Sequence, residues 1–567
     1  MKFFYGKLIV IIIYLTKNYM STHTLLRSTE IENKPVGKEV IKTSTREQIK
    51  DLNTLPLYDR SLIDYNKYGK HVGHAGVKHS IAVQATRGCP YRCFYCDVYK
   101  TTVHHFRRSP DKIFEEVKML ADIGVKRIEF IDDIFNVKEK DFITFFNMVV
   151  KEKLKVKFFF PTALKGDLLT KESIDAMMEG GAVGVNVSLE SASPRLQKVM
   201  RKNLNITRFR ENLEYICKNH PEAVTTLNTM HGFPTETEEE ALITLDFILS
   251  MKWVHFPYTH IVRIFPGTDL EKFALTHGVG KKAINEAIDK SYHEVTPTLP
   301  FKREFTEKYK LMFLKNYVLN KERLLKVLPV QMKHFTLDEL NQRYSSYFVS
   351  KINGLKDVLR MGNIKEDELK IDCISEKEIE IPNFNKKLNK VFKSGNVEAH
   401  NPYKVLLINV SSPFSSDRDS GEYDVLEPPL GLIALLSYLN REFKTSVKGK
   451  IIKTGVDFDS YKELNKIIKE YKPQTIGVST MTFHKDFFHD LISAIREGGY
   501  DKNLVVGGPH PTTSYEEVLK DKNIDICVIG EGERTLTDII SAHMHTNQKK
   551  LDKIELTKIP GIAFSGS

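Results

Sequence analysis

The sequence is poor in cysteine, with six in 567 residues. That is too few for a disulfide framework in a chain this long, so the thiols are expected to be reduced, as in a cytosol. Long apolar runs are also missing. The N-terminal run Leu8 to Leu15 in "MKFFYGKLIVIIIYLTKNYM" falls far short of the ~20 residues a membrane helix needs. It has the length of a signal-peptide core, but no small-residue cleavage site follows. A buried segment or a true start at Met20 fits better, and a cytoplasmic protein without a membrane partner is expected. No polybasic block with interleaved aromatics occurs either. The formal net charge is +11, yet Lys and Glu intersperse along helical stretches, which reads as a solvated surface and does not favour nucleic acid.

What is present is a globular composition, 41% hydrophobic and 28% charged, without a short-period repeat. Residues 1–75 read as an N-terminal extension and linker, polar after Met20 and with one short helix. From 76 to 300, strands such as "SIAVQAT", "KRIEFID" and "GVNVSLE" alternate with amphipathic helices such as "PDKIFEEVKMLADIG". Alternating βα units imply a parallel sheet, here about six strands in an open or partial barrel. Residues 301–402 read as a helical extension followed by a linker rich in Lys, Glu and Asn. From 403 to 567 a second α/β segment begins, with four strands alternating with helices as a doubly wound, Rossmann-like domain.

Three of the six cysteines stand in "RGCPYRCFYC" as Cys89, Cys93 and Cys96. A zinc site calls for two C-x-x-C pairs or a Cys/His quartet. No second pair exists, because Cys217, Cys373 and Cys527 are scattered singly; His104 and His105 offer a fourth ligand only at unusual spacing. Three close thiols with no ligand would be an oxidation liability. On a tight loop they suit a four-iron cluster that keeps one iron without a protein ligand, since electron-transfer clusters use four cysteines.

C-x-x-x-C-x-aromatic-C, with Tyr95 before the last cysteine, resembles the radical S-adenosylmethionine (radical SAM) superfamily. The resemblance implies a 4Fe-4S cluster on Cys89, Cys93 and Cys96, S-adenosylmethionine on its open iron with Tyr95 among the contacts, and an external electron donor of flavodoxin or ferredoxin type. Further segments are similar in register. In "FIDDIFN" the resemblance puts Asp132 or Asp133 on the amino group of S-adenosylmethionine, against a bland reading as helix caps. In "VSLESASPRLQKVMRK" it puts Ser188 and Glu190 near the ribose and Lys202 at the methionine carboxylate, while Ser193 reads as a helix cap. "HGFPTETEEE" and "RIFPGTDLEKFA" resemble the turns after the fifth and sixth strands, with Asp269 in place of a usual proline.

In the second segment "EPPLGLIALLSYL", "VVGGPHPT" and "VIGEGERTL" resemble the cobalamin-binding domain of many such enzymes. The resemblance implies Gly507, Gly508, Gly530 and Gly532 around the nucleotide tail, and Ser479 and Thr480, within "STMTF", beside the corrin. A flavodoxin-like domain that binds nothing is the alternative. The loop after the first strand, "NVSSPFSSDRDSGEY", holds no histidine, so cobalamin is expected base-off with no lower histidine. His510 is assigned to the tail-side loop.

The domain order is the reverse of the usual one, and "TKIPGIAFSGS" resembles a linker that normally leads into "REQIKDLNTLPLYDRSLIDY". The chain therefore reads as one period of a tandem cut out of phase: a split or truncated product, a domain-swapped oligomer, or half of a two-protein enzyme. The implied function is methyl transfer to an unactivated centre of a small molecule, such as a natural product, through a 5′-deoxyadenosyl radical. Radical cyclisation, rearrangement or methylthiolation, or a non-catalytic cobalamin-binding subunit, are the alternatives. A methylthiotransferase would need further clustered cysteines, which are missing.

Overall fold

The computed structural model describes residues 39–68, 78–102, 104–288, 290, 292–348, 350, 352–392, 400–411, 413–415 and 427–566. The run Leu8–Leu15, Met20 and most of the loop 412–426 lie outside them. Among the described residues no helix is long and apolar enough to cross a membrane.

The strands are β1 (Val40–Lys42), β2 (Ser80–Val83), β3 (Thr86–Arg87), β4 (Phe106–Arg107), β5 (Arg127–Phe130), β6 (Lys157–Leu164), β7 (Ala182–Glu190), β8 (Val224–His231) and β9 (Phe256–Ile261). After a helical stretch come β10 (Tyr403–Val410), β11 (Val447–Lys453), β12 (Thr475–Thr480), β13 (Leu504–Gly507), β14 (Ile526–Val528) and β15 (Ile562–Ser565). One sheet has the order β2-β5-β6-β7-β8-β9, every neighbouring pair parallel, as the βα alternation predicts. Its helices start on residues suited to the task. Ser109 caps the helix Pro110–Asp122 with proline in the first turn, and Thr237 with Glu240 forms a capping box on Glu238–Ser250. Under β5 and β6 the core is phenylalanine on phenylalanine, with Phe130 stacked on Phe135 at 4.5 Å and on Phe160 at 5.6 Å.

The sheet face that carries Phe159, Phe256 and Tyr258 is covered by the helical extension. Phe335 meets Phe159 and Phe256 at 5.9 and 6.0 Å, and Tyr347 stacks on Tyr258 at 5.2 Å. A buried ion pair, Arg127 to Glu339 at 3.1 Å, ties β5 to the helix Leu337–Ser345. The supposed linker after this extension differs from expectation, since it contains the helix Phe384–Phe392. Phe384 and Leu388 fall one turn apart and are buried, so two apolar residues at helical spacing outweigh a Lys/Asn-rich composition.

The second sheet runs β11-β10-β12-β13-β14 in parallel, a doubly wound 2-1-3-4-5 order, with β15 antiparallel on β14. Its last strand is β1, from the other end of the chain. Val40 to Lys42 pair antiparallel with Ser565 to Ala563, the Gly566 amide donates to the Glu39 carbonyl at 2.7 Å, and Gly561 donates to Ser44 at 2.8 Å. The segment that follows is not a free linker. Arg46 pairs with Asp538, the Asp59 amide donates to Ser437, and Lys67 pairs with Asp457, all on the C-terminal domain. The same segment then enters the barrel through Arg60, fully buried, 2.7 Å from Glu116 and from the Ala82 carbonyl. The two domains, for which pairing within one chain or across chains was left open by the sequence, thus touch within one chain.

Replacing Arg60 with Met leaves Glu116 buried against Arg108 alone and is expected to cost about 3 kcal/mol, because breaking a buried pair strands a charge. A lower urea midpoint of the near-ultraviolet signal is the expected readout; an unchanged midpoint would show that this pair does not hold the segment.

Candidate functional site: the cysteine loop and the facing sheet edge

The cysteine loop is clamped at both ends. β3 and β4 form a two-stranded antiparallel ribbon that brackets it. Gly88 sits at φ +80°, and a Cβ there would lie 2.3 Å from the His104 carbonyl, so the ribbon closes only around glycine. Phe94 is buried, its amide donating to the Met200 carbonyl at 3.0 Å, and its ring packs against Phe233 and Phe273. Cys89, Cys93 and Cys96 are left half-buried and unbridged. Burial pushes the Cys89 thiol up to about 11 and the Cys96 thiol to about 12, each raised further by the neighbouring cysteines. Three thiolates here therefore need a cationic group to hold their charge, which is what iron supplies. Among the described residues no three His, Cys, Asp or Glu side chains converge as ligands of one ion. A cluster spreads its thiolates over separate irons, so the loop fits that group better than zinc. His105 is committed elsewhere, to the Ile134 carbonyl at 3.2 Å.

The structure separates the two aspartates. Asp132 is buried, and its Oδ1 accepts from the Ala85 amide at 2.9 Å and from the Thr86 hydroxyl at 2.7 Å, with the Thr86 amide as a third donor. It builds the entrance to the cysteine loop. Asp133 is exposed, accepts from the Gly88 amide at 3.0 Å, and lies in the field of Cys89 and Cys96. Of the pair, only Asp133 is open to solvent.

Glu190 ends β7 at φ +65°, a left-handed conformation that costs a non-glycine residue energy and is found at functional sites. Its carboxylate takes Lys202 Nζ at 2.7 Å and the Tyr95 hydroxyl at 3.2 Å. Burial opposes the Lys202 charge, but Glu190 and Cys93 hold its ammonium above the ordinary lysine value. Residues of the cysteine loop, the fourth strand and the segment after it thus converge. Ser188 accepts from Asn228 at 3.4 Å, and Asn228 also donates to Asn186 at 2.7 Å. Asn186 and Asn228 escape sequence reasoning; Asn186 shares the β7 face of Ser188 at period two, while Asn228 is brought beside Ser188 only by the register of β8. Ser193 is a helix cap, accepting from the Leu196 amide. The two later turns are pinned alike: Glu236 accepts from Phe233, and Glu271 from Gly267 at 2.7 Å. Asp269, in the proline position, opens the helix Asp269–Thr276 and pairs with Arg201.

The carboxyl edge of the second sheet faces this loop. Arg87, two residues before the first cysteine, reaches Glu531 at 3.3 Å and Glu533 at 2.5 Å, and Glu531 also accepts from the Ile49 amide at 2.8 Å. These three charged residues were not singled out from sequence; opposite charges in "TRGC" and "GEGER" were the available signal. The four glycines have different jobs. Gly508, at φ +97°, leaves room for Ser479, whose Oγ is 2.6 Å from where a Cβ would stand. Gly532 accommodates Leu435 at 2.9 Å, while Gly507 ends β13 in register with Ser479. Gly530, at φ +83°, donates to the Thr512 hydroxyl and lies beside the Thr101 carbonyl of the barrel, 3.9 Å from the Cβ position. Thr480 is buried and donates to the Met481 carbonyl. Two polar atoms near this edge, Ser411 Oγ and His510 Nδ1, are buried with no partner, which is how a cradle for a polar ligand presents itself.

An open parallel barrel with a three-cysteine loop, facing the carboxyl edge of a doubly wound domain, defines a two-cofactor architecture. The Radical SAM superfamily profile matches residues 83–248, and the B12 binding domain profile matches residues 421–540. The chain carries a radical SAM domain and a B12-binding domain, and with these domains come a 4Fe-4S cluster, S-adenosylmethionine and cobalamin. An uncharacterized methyltransferase of Pyrococcus horikoshii is 25% identical over 275 residues, covering 48% of this chain and 57% of the relative. A tRNA-2-methylthio-N(6)-dimethylallyladenosine synthase of Thermoanaerobacter is 28% identical over 192 residues, 32% of this chain and 40% of the relative. The chain spans about half the length of these curated relatives. Among solved structures, the cobalamin-dependent radical enzyme OxsB superposes with a TM-score of 0.34 at 14% identity, covering 55% of this chain and 53% of OxsB. The Kitasatospora setae radical S-adenosylmethionine methyltransferase TsrM gives 0.32 at 19%, covering 36% and 37%.

The aspartates give a paired prediction. Asp133→Asn is expected to keep iron and sulfide content and to weaken S-adenosylmethionine binding by ~10–100-fold, the loss of one charge-assisted hydrogen bond. Asp132→Ala strands three donors and is expected to lower the iron incorporated per chain. Calorimetry and iron analysis read the two effects; the reverse pattern would exchange their roles.

Proposed function

We propose that this enzyme is a cobalamin-dependent methyltransferase that acts on an unactivated centre of a small molecule. One observation carries the reading: the cysteine loop and the glycine-rich edge of the B12-binding domain are held face to face within one chain by Arg87, Glu531 and Glu533. When bound, the cluster with S-adenosylmethionine supplies a radical and cobalamin supplies a methyl carrier.

The chain's own residues position these groups and keep water out. Asp133, near Cys89 and Cys96, and Lys202, near Cys93, bring opposite charges to the cysteine loop, as a zwitterionic amino acid moiety requires. Glu190 holds Lys202 and Tyr95 in place. The Ser188, Asn228 and Asn186 row offers neutral hydrogen-bonding groups to a sugar or a substrate. A non-catalytic binding subunit is disfavoured because the domains meet, and methylthiolation because Cys217, Cys373 and Cys527 remain dispersed, Cys527 in the core of the second domain.

Anaerobic reconstitution of the cluster, followed by reductant and S-adenosylmethionine with or without cobalamin, tests the proposal by mass spectrometry. Both 5′-deoxyadenosine and S-adenosylhomocysteine are expected, the second only with cobalamin. Arg87→Met is expected to depress S-adenosylhomocysteine at least tenfold while 5′-deoxyadenosine persists, because the interface loosens while the cysteines stay. Deoxyadenosine alone from the unaltered protein would refute methyl transfer and leave a radical enzyme of another kind.

A further inference from the structure

The second domain covers one side of the cysteine loop, where Arg87 meets Glu531 and Glu533 and the Thr101 carbonyl lies 3.9 Å from the Gly530 Cβ position. The loop also rests on a small apolar core of its own, in which Phe94 packs with Leu196, Met200, Leu270 and Ala274. From Phe94, the residue after Cys93, the packing continues ring on ring, to Phe273 at 5.6 Å and from Phe273 to His277 at 4.0 Å. His277 is exposed even with the second domain in place. Two ring contacts therefore link the cysteine loop to solvent.

That surface is carried by the helix Asp269–Thr276. Its Leu270, Glu271 and Ala274 are buried, while Lys272 and Leu275, three positions apart on the other face, are exposed, Leu275 to 44%. Arg201 pairs with Asp269 at 2.8 Å and sets the helix Pro194–Val199 alongside, with Lys198 exposed. The acids on these two helices and on the next, Lys281–Ile288, are already taken: Asp269 by Arg201, Glu271 by Lys281 and Glu286 by Lys282. Arg92 of the cysteine loop, Lys198 and Lys272 are exposed and have no ionic partner among the described residues. An exposed leucine among unpaired cations has the makeup of a transient interface for an acidic protein, in which charge steers the encounter and a small apolar centre seats it. A nucleic acid calls for a denser basic stripe, and a leucine adds nothing to a phosphate backbone. The other three cysteines are dispersed and build no second cluster, so the electron for the first comes from outside the chain.

We propose that this face docks a small acidic one-electron donor protein of flavodoxin type, seated on Leu275 and held by Arg92, Lys198 and Lys272, and that the electron reaches the cysteine loop past Phe273 and Phe94. One electron leaves the reduced flavin of the donor, which is oxidised by one electron, and enters the oxidised cluster, which is reduced by one. No bond forms or breaks and no proton moves at this step. The inference rests on the 4Fe-4S cluster that comes with the radical SAM domain.

Stopped-flow absorbance of the cluster-loaded chain, mixed anaerobically with photoreduced flavodoxin, tests it through the bleaching of the cluster. The bimolecular rate is expected to fall at least tenfold between ~20 and ~200 mM salt, since screening removes the steering. The double substitution Lys198→Glu with Lys272→Glu is expected to lower it ~10–100-fold at the lower salt. Dithionite, too small to need a docking face, is expected to reduce the cluster of both proteins to the same extent. A flavodoxin rate that ignores salt in the unsubstituted protein would overturn the docking face, and that comparison needs no variant. A rate that falls with salt yet is unmoved by the double substitution would place the donor elsewhere. Transfer RNA bound by the unsubstituted protein and lost in the variant, with the flavodoxin rate unmoved, would give the face to nucleic acid. A chain that takes up no iron and sulfide would overturn the cluster reading itself.

Discussion

The pairing of β1 with β15 is the constraint on which the arrangement of this chain depends. It is a short ladder, three residues on each side, but it fixes where the chain goes next. From Lys42 the backbone runs along the B12-binding domain to Asp59, is anchored in the barrel at Arg60 and touches the B12-binding domain again at Lys67. Glu531 accepts from both this segment, at Ile49, and the cysteine loop, at Arg87. A barrel-first chain thereby joins strands from early and late in the sequence in one antiparallel pair.

Around the cysteines, charge is balanced locally. The Glu190–Lys202 pair and the Arg87–Glu531–Glu533 group flank a loop whose thiols are driven up by burial. Buried charges are tolerated when their partners are fixed, and here the partners come from the end of β7, the helix region after it and the opposite domain. The polar row Asn186, Asn228 and Ser188 continues this environment into the sheet, while below it Phe335 and Tyr347 close the sheet face with apolar surface. The site is polar where ligands enter and apolar where the fold needs support.

Much of this was legible in the sequence for physical reasons. Six βα units announce a parallel sheet by period alone, and cysteine spacing on one loop is a local property. Tyr95, Glu190 and Lys202 converge because they belong to turns whose order along the chain is the order around the barrel. What stayed hidden was long-range. Nothing local in "EVIKT" tells that it pairs with "GIAFS", and nothing in "FNKKLNKVF" tells that Phe384 finds Tyr65 at 5.4 Å. Asp132 and Asp133 are adjacent in sequence yet part in space, one inward and one outward, because only one can point into the sheet's end. Gly508 and Gly532 have the composition of ligand loops, but each is required by a neighbouring side chain of the domain itself.

The separation between Arg87 and its partner Glu531 is 444 residues, and that between Thr43 and Ile562 is 519. On a ribosome moving from the N-terminus, the barrel with its three thiols is complete long before the covering domain exists. At ~5–20 residues per second, the interval is on the order of tens of seconds. The cysteine loop therefore passes its early life uncovered. Cluster assembly has a period of open access that a chain with the opposite domain order does not have, and that period ends only when the last strand reaches the first.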